Sequence, residues 1–146
     1  MKEFKNILVP VDGSKLSQIA FKKALSMSEM VDSNVDIVFV SGYPTGGPVG
    51  MEQPPRIDPQ PDLSGIFEPY EKIARENDIK IGKELERGIA SERIIEMSKS
   101  YDLIIMGTRG RNPIASLILG SVAENVARKA CCPVMLIREK SHECKK

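Results

Sequence analysis

Histidine, cysteine and net charge are all scarce in this sequence, and each scarcity removes a class of function. His142 is the only histidine and stands in a polar C-terminal tail, so hydrolysis or metal ligation built on imidazole has no second partner. The three cysteines, Cys131, Cys132 and Cys144, cannot all pair within one chain. None forms a Cys-x-x-Cys, so neither a disulfide framework nor a zinc site is indicated, and a reducing cytoplasm fits best. Twenty-one Lys and Arg oppose twenty Asp and Glu, a net charge of +1. No global field therefore draws the chain to nucleic acid or to an anionic membrane. No stretch approaches the ~18 apolar residues of a membrane span, and Met1-Lys2-Glu3-Phe4-Lys5 leads straight into a short apolar run. The expectation is a soluble, unexported protein. Two phosphate motifs are also missing: Gly-x4-Gly-Lys-Ser/Thr and Gly-x-Gly-x-x-Gly.

What is present is ordinary globular composition, 41% hydrophobic and 28% charged over 146 residues. At ~100–200 residues per domain this is one domain spanning 1–146, large enough for a core without metal or disulfide staples. Ile7-Leu8-Val9-Pro10-Val11 reads as a buried strand closed by the Asp12-Gly13-Ser14 turn, with Ser14 placed to cap a helix. Leu16, Ile19, Ala20, Ala24, Met27 and Val31 then recur at helical spacing over Lys15 to Val31, and Asp32-Ser33-Asn34 stops the pattern. In the strand Asp36 to Val40, Ile37-Val38-Phe39-Val40 are apolar at consecutive positions, the mark of a parallel strand covered on both faces.

Residues 42–65 interrupt this rhythm, since eleven of the twenty-four are Gly or Pro. No element interior tolerates that density, and the segment is expected to be a long surface loop. A helical stripe resumes from Ile66 to about Asn77, with Pro69 in its first turn. A third strand follows at Lys80 to Glu86, a helix at Ser91 to Ser100, a fourth strand at Leu103 to Met106, a helix at 121–130 and a fifth strand at Val134 to Ile137. The tail 138–146 is polar and expected to fray. Strands alternating with helices predict an α/β fold: an open five-stranded parallel sheet with helices on both faces.

Ligands of such sheets bind beyond the carboxyl ends of the strands. Asp12 follows the first strand, Val40 ends the second, and Gly107-Thr108-Arg109-Gly110 follows the fourth. Arg111 to Leu119 then separates this turn from Gly120-Ser121. Glycines admit a phosphate close to the backbone, and amides at a helix start carry partial positive charge, so these segments can form a triphosphate cradle. The structural alternative is an ordinary turn followed by a Ser121-x-x-Glu124 capping box. Asp12 likewise reads either as a ligand group or as turn and cap chemistry. Cys131-Cys132, where the last helix passes into the last strand, read as buried packing thiols, whereas Cys144 reads as exposed and oxidisable.

Taken together, Val9-Pro10-Val11-Asp12-Gly13-Ser14, the Gly-x2-Gly-x9-Gly-Ser spacing from Gly107 to Ser121, and Cys132-Pro133-Val134 resemble the universal stress protein family across nearly the whole chain. The resemblance implies a Rossmann-like domain of the adenine nucleotide alpha hydrolase-like kind, in the group whose motif-bearing members hold ATP, with or without Mg²⁺. It implies that Asp12 bonds the adenine or ribose region and that Pro10, Val11 and Val40 wall the adenine. Gly107, Gly110, Gly120, Ser121 and Val122 would contact phosphates through backbone amides, and Arg109 would add positive charge. Arg111-Asn112-Pro113 departs modestly from the apolar or small residues usual there, and the 42–65 loop is rich in proline for the group. The paired histidines or Ser-Gly-Gly loop of related nucleotidyl-transfer folds are not found.

The function the resemblance implies is regulatory ATP binding in a stress response, acting through conformation or partner choice. Two rivals stand beside it: an ATP hydrolase, slow at most because no general base or catalytic lysine accompanies the cradle, and a nucleotide-free interaction module. No catalytic or metal-ligating residues are assigned. The last strand, apolar throughout and due at a sheet edge, predicts a homodimer through residues 134–137, the pairing that the family resemblance also implies.

Overall fold

In a computed structural model, residues 4–41, 65–110 and 119–139 are described. Residues 42–64 of the predicted 42–65 loop, Arg111-Asn112-Pro113, and the tail from 140 with His142 and Cys144 lie outside the described residues. Five strands form one sheet: β1 (Asn6–Pro10), β2 (Asn34–Ser41), β3 (Ile81–Arg87), β4 (Leu103–Gly107) and β5 (Val134–Ile137). Every pairing is parallel, and the order is β3-β2-β1-β4-β5. Among the described residues four helices, α1 (Lys15–Val31), α2 (Glu68–Glu76), α3 (Ala90–Met97) and α4 (Ser121–Lys129), cover it, with a 3₁₀ turn at Ser98–Ser100. Among the described residues, no helix is long and apolar enough to cross a membrane.

Period-two alternation in the strands builds two cores. Ile7, Val9, Ile37 and Ile105 face α1 and α2, packing with Phe21 and Tyr70. Leu8, Val38, Ile104 and Met106 face α3 and α4, packing with Ile94 and Val126. Helices on both faces explain why β1 and β4 are apolar at consecutive positions. The Phe21 and Tyr70 rings meet edge to face, centroids 5.5 Å apart at 82°, a pairing worth about 0.5–1.5 kcal/mol beyond burial.

The ends of α1 follow from its flanking residues. Ser14 Oγ accepts from the Ser17 amide at 3.2 Å, and Asp32 adopts the left-handed conformation, φ 55°, that closes the helix. The buried stripe differs from the predicted one. Ile19 and Val31 are 43% and 40% exposed, whereas Phe21, Leu25, Ser17 and Ser28 are buried. Ile19 falls off the stripe through Ala20 and Ala24, and Val31 is the helix's last residue.

Two further expectations are corrected. Ser121 is not an N-cap: Gly120 holds that place, makes no side-chain cap bond, and its carbonyl accepts from the Glu124 amide at 2.9 Å. The Gly120 amide donates to the Thr108 carbonyl at 2.7 Å, which sets the helix start one residue earlier than a Ser121 capping box requires. Cys131 is exposed rather than a buried packing thiol, and only Cys132 packs partly against the second core. Burial raises the Cys132 thiol above its ordinary pKa.

Candidate functional site

Pro10 opens the crevice. It has no N–H to give β4, and the recorded register between β1 and β4 ends at Leu8–Ile104. Beyond that point the two strands lead to helices on opposite faces, α1 with the first core and α4 with the second, which makes this the topological switch point of the sheet. A cavity of about 440 Å³ lies there, within the usual ~300–1,000 Å³ of small-molecule sites. Its lining includes all ten of the sequence-predicted site residues: Pro10, Val11, Asp12, Val40, Gly107, Arg109, Gly110, Gly120, Ser121 and Val122.

On the β1 side, Asp12 has two differently placed oxygens. Oδ1 accepts from the Ser14 amide at 2.9 Å, an Asx turn that orients the carboxylate. Oδ2 lies against Gly110, where an added Cβ would stand 2.7 Å from it. Gly13, at φ 84°, carries the chain through the left-handed region between them. Its amide donates to the Tyr70 hydroxyl at 2.9 Å, and that hydroxyl lies 2.6 Å from Ser17 Oγ. Tyr70 is fully buried. Burial raises its phenol above the ordinary tyrosine pKa, with the Ser17 hydrogen bond acting in the opposite direction.

On the β4 side, backbone predominates. Thr108 donates its amide to the Ile137 carbonyl of β5 at 2.9 Å and accepts the Gly120 amide on its own carbonyl. A Cβ on Gly120 would meet that carbonyl at 3.2 Å, and one on Gly107 would press Leu16 of α1 at 3.0 Å. The glycines thus have packing roles independent of any ligand. At the start of α4, the amides of Ser121, Val122 and Ala123 precede Glu124, the first intrahelical donor, and have no partner among the described residues. Arg109 points its guanidinium to Glu139 at 3.1 Å, with side chains 24% and 67% exposed. It is the one cation, and Asp12 the one carboxylate, among the described lining residues.

The other wall is β2. Val11 donates to the Val38 carbonyl at 2.8 Å, so even-numbered β2 residues turn their backbone groups toward β1. Val40 therefore presents its N–H and C=O on the side that β1 has already left. Ser17, Val38, Ile94, Met106, Thr108 and Ala123 also line the cavity, and sequence reasoning did not assign them. Ser17 carries one usable signal, a hydroxyl that, like that of Ser28, falls among the apolar residues of the buried α1 stripe. Thr108 sits inside the glycine turn and is only 8% exposed.

The profile of the universal stress protein family matches residues 3–138. A universal stress protein of Methanocaldococcus jannaschii is 32% identical over 149 residues, 96% of this chain and 85% of the relative. One from Mycobacterium tuberculosis is 31% identical over 139 residues, and this chain spans 45% of its length. Among solved structures, a universal stress protein in complex with cAMP superposes with TM-score 0.69 at 21% identity, over 93% of this chain and 98% of that one. An Arabidopsis thaliana family protein with AMP bound gives 0.64 at 18% identity, over 97% and 96%. At these identities the structural matches establish the fold.

Proposed function

The chain belongs to the universal stress protein family, and from that premise we propose that it is an ATP-binding regulatory protein of a stress response, acting through conformation or partner choice. The observation that carries this reading is the convergence of the ten predicted site residues on one cavity at the carboxyl ends of β1, β2 and β4. The nucleotide complexes of two structural neighbours, with cAMP and with AMP, support an adenine ligand.

The residues fit that ligand. Val40 offers a backbone donor beside an acceptor, the pair that an adenine's amino group and ring nitrogen complement. Pro10, Val11 and Val40 supply apolar walls, and Asp12 Oδ2 accepts from a ribose hydroxyl or from the base. The partnerless amides of Ser121 and Val122, at the positive end of the α4 dipole, receive phosphate oxygens. The Ser121 hydroxyl, released from capping duty, adds a donor, and Gly107, Gly110 and Gly120 keep the backbone bare. Arg109 neutralises phosphate charge. A Mg²⁺ carried by the phosphates would have Asp12 as its carboxylate neighbour. Turnover is not the proposed role, because Asp12 is the one candidate base among the described lining residues and its free oxygen is assigned to the nucleoside.

Amide NMR tests the assignment. Titration with ATP is expected to shift Val40, Gly110, Ser121 and Val122 together while β3 amides stay still. Shifts confined to exposed lysines and arginines would overturn it.

The same reading makes the protein a homodimer through β5. This strand is the sheet edge, Met135 is 37% exposed, and no charge lies between Val134 and Ile137. Sedimentation equilibrium is expected to give a dimer that Met135→Pro dissociates into folded monomer. A wild-type monomer at tens of micromolar contradicts it.

A further inference from the structure

We propose that Tyr70, on α2, is a positioning residue for the nucleoside end of the cavity, an inference that rests on the nucleotide reading above. Its ring is fully buried among Phe21 and other apolar side chains, a place that phenylalanine fills equally well. What phenylalanine lacks is the hydroxyl, and a buried hydroxyl must be paired. Its partners come from the turn that carries Asp12 and from the first turn of α1.

The proton directions follow from counting donors. Ser17 Oγ has one proton and donates it to the Ser14 carbonyl at 2.8 Å. In the 2.6 Å contact between the two hydroxyls, Tyr70 is therefore the donor and Ser17 the acceptor. The Tyr70 oxygen then accepts from the Gly13 amide at 2.9 Å. The chain runs from Gly13 N–H to Tyr70, to Ser17, to the Ser14 carbonyl, and every member is satisfied. It pins the peptide immediately after Asp12 while the Ser14 amide holds Asp12 Oδ1. Together these bonds aim the free Oδ2 at the cavity edge beside Gly110. Tyr70 lies 57 residues along the chain from Gly13, so the orientation of a β1-end ligand group is set from α2.

The test is calorimetric titration of wild type and Tyr70→Phe with two separate probes, adenosine and inorganic triphosphate, alongside Gly13 amide exchange by NMR. Tyr70→Phe is expected to weaken adenosine binding about tenfold, the scale of one buried hydrogen bond. Triphosphate binding is expected to stay within about twofold, because its contacts lie across the cavity at α4, and Gly13 exchange is expected to quicken without ligand. Equal loss for both probes would make Tyr70 a structural residue and overturn the proposal. So would unchanged adenosine affinity. A wild type that binds neither probe overturns the nucleotide reading itself, which separates that failure from one seen only in the variant. Should Tyr70→Phe fail to fold, Ser17→Ala removes the acceptor that orients the phenol and is expected to give the same selectivity at about threefold; no selectivity there overturns the proposal.

Discussion

The two sides of the cavity are built by different means. The β1 side is an arrangement of side chains: Asp12 held by the Ser14 amide, Gly13 held by Tyr70, and Tyr70 held by Ser17. The β4 side is almost entirely backbone, with the Thr108 carbonyl on Gly120 and bare amides at the start of α4. Side-chain bonds can be removed one at a time, each at the cost of about one hydrogen bond. A backbone cradle has no separable parts, since any side chain added to its glycines moves the chain that forms it. The first side is tunable and the second is close to all-or-none.

Gly120→Val tests that difference with the largest effect. Its Cβ would meet the Thr108 carbonyl at 3.2 Å, and overpacking of this kind costs ~1–3 kcal/mol of stability. ATP affinity is expected to fall more than tenfold, read by calorimetry on protein whose circular dichroism is unchanged; retained affinity would show that the cradle tolerates rearrangement. Gly110→Val discriminates less well, because its Cβ strikes Asp12 Oδ2 and so damages both sides together.

Asp12→Ala comes next. It is expected to weaken ATP and adenosine alike by roughly 1–3 kcal/mol, the range for a charge-assisted hydrogen bond left unmade. A loss confined to ATP would move Asp12 to the phosphate side. Arg109→Gln should have a smaller effect, weakening ATP by roughly 0.5–1 kcal/mol at low salt and less at high salt, with adenosine untouched. Its partner Glu139 is largely exposed, so little stability should be lost with it.

The smallest effect concerns pH, and it involves Tyr101, away from the site, as well as Tyr70 beside it. Burial and the adjacent Asp36 carboxylate, which accepts from the Tyr101 hydroxyl at 2.6 Å, raise the Tyr101 phenol far above the ordinary value near 10.0. Tyr70 is raised in the same direction by its burial. In both, the folded state holds the proton more tightly than the unfolded chain. This stabilisation is complete below the unfolded pKa and is lost as pH rises from about 10 toward the folded value. Chemical denaturation between pH 9 and 11 is expected to show falling stability, with a shallower slope in Tyr101→Phe. An equal slope in the variant would remove Tyr101 from the account.

Much of this architecture was legible in local pattern. The bounds of α1 and β5 follow from caps and apolar runs, and Asp12, Val40 and the glycine turns from their place after the strands, whereas Pro10, Val11 and Val122 come from the family resemblance. The Tyr70 anchor was not legible, because an apolar stripe records that a position is buried but not that its hydroxyl reaches a glycine 57 residues away. Ser121-x-x-Glu124 misled for a related reason. The motif matches a capping box, yet a tertiary bond from the Gly120 amide to Thr108 decides where α4 begins. Ile19 has helical spacing to its neighbours, but the sheet's position decides which side of α1 is covered.

Equilibrium dialysis of the wild-type chain against labelled ATP, with unlabelled adenosine as competitor and Gly120→Val in parallel, is the most direct test of the central claim. The account predicts one saturable site per chain, displaced by adenosine and lost in the variant. No saturable binding at millimolar ATP, or binding that Gly120→Val leaves intact, would contradict it.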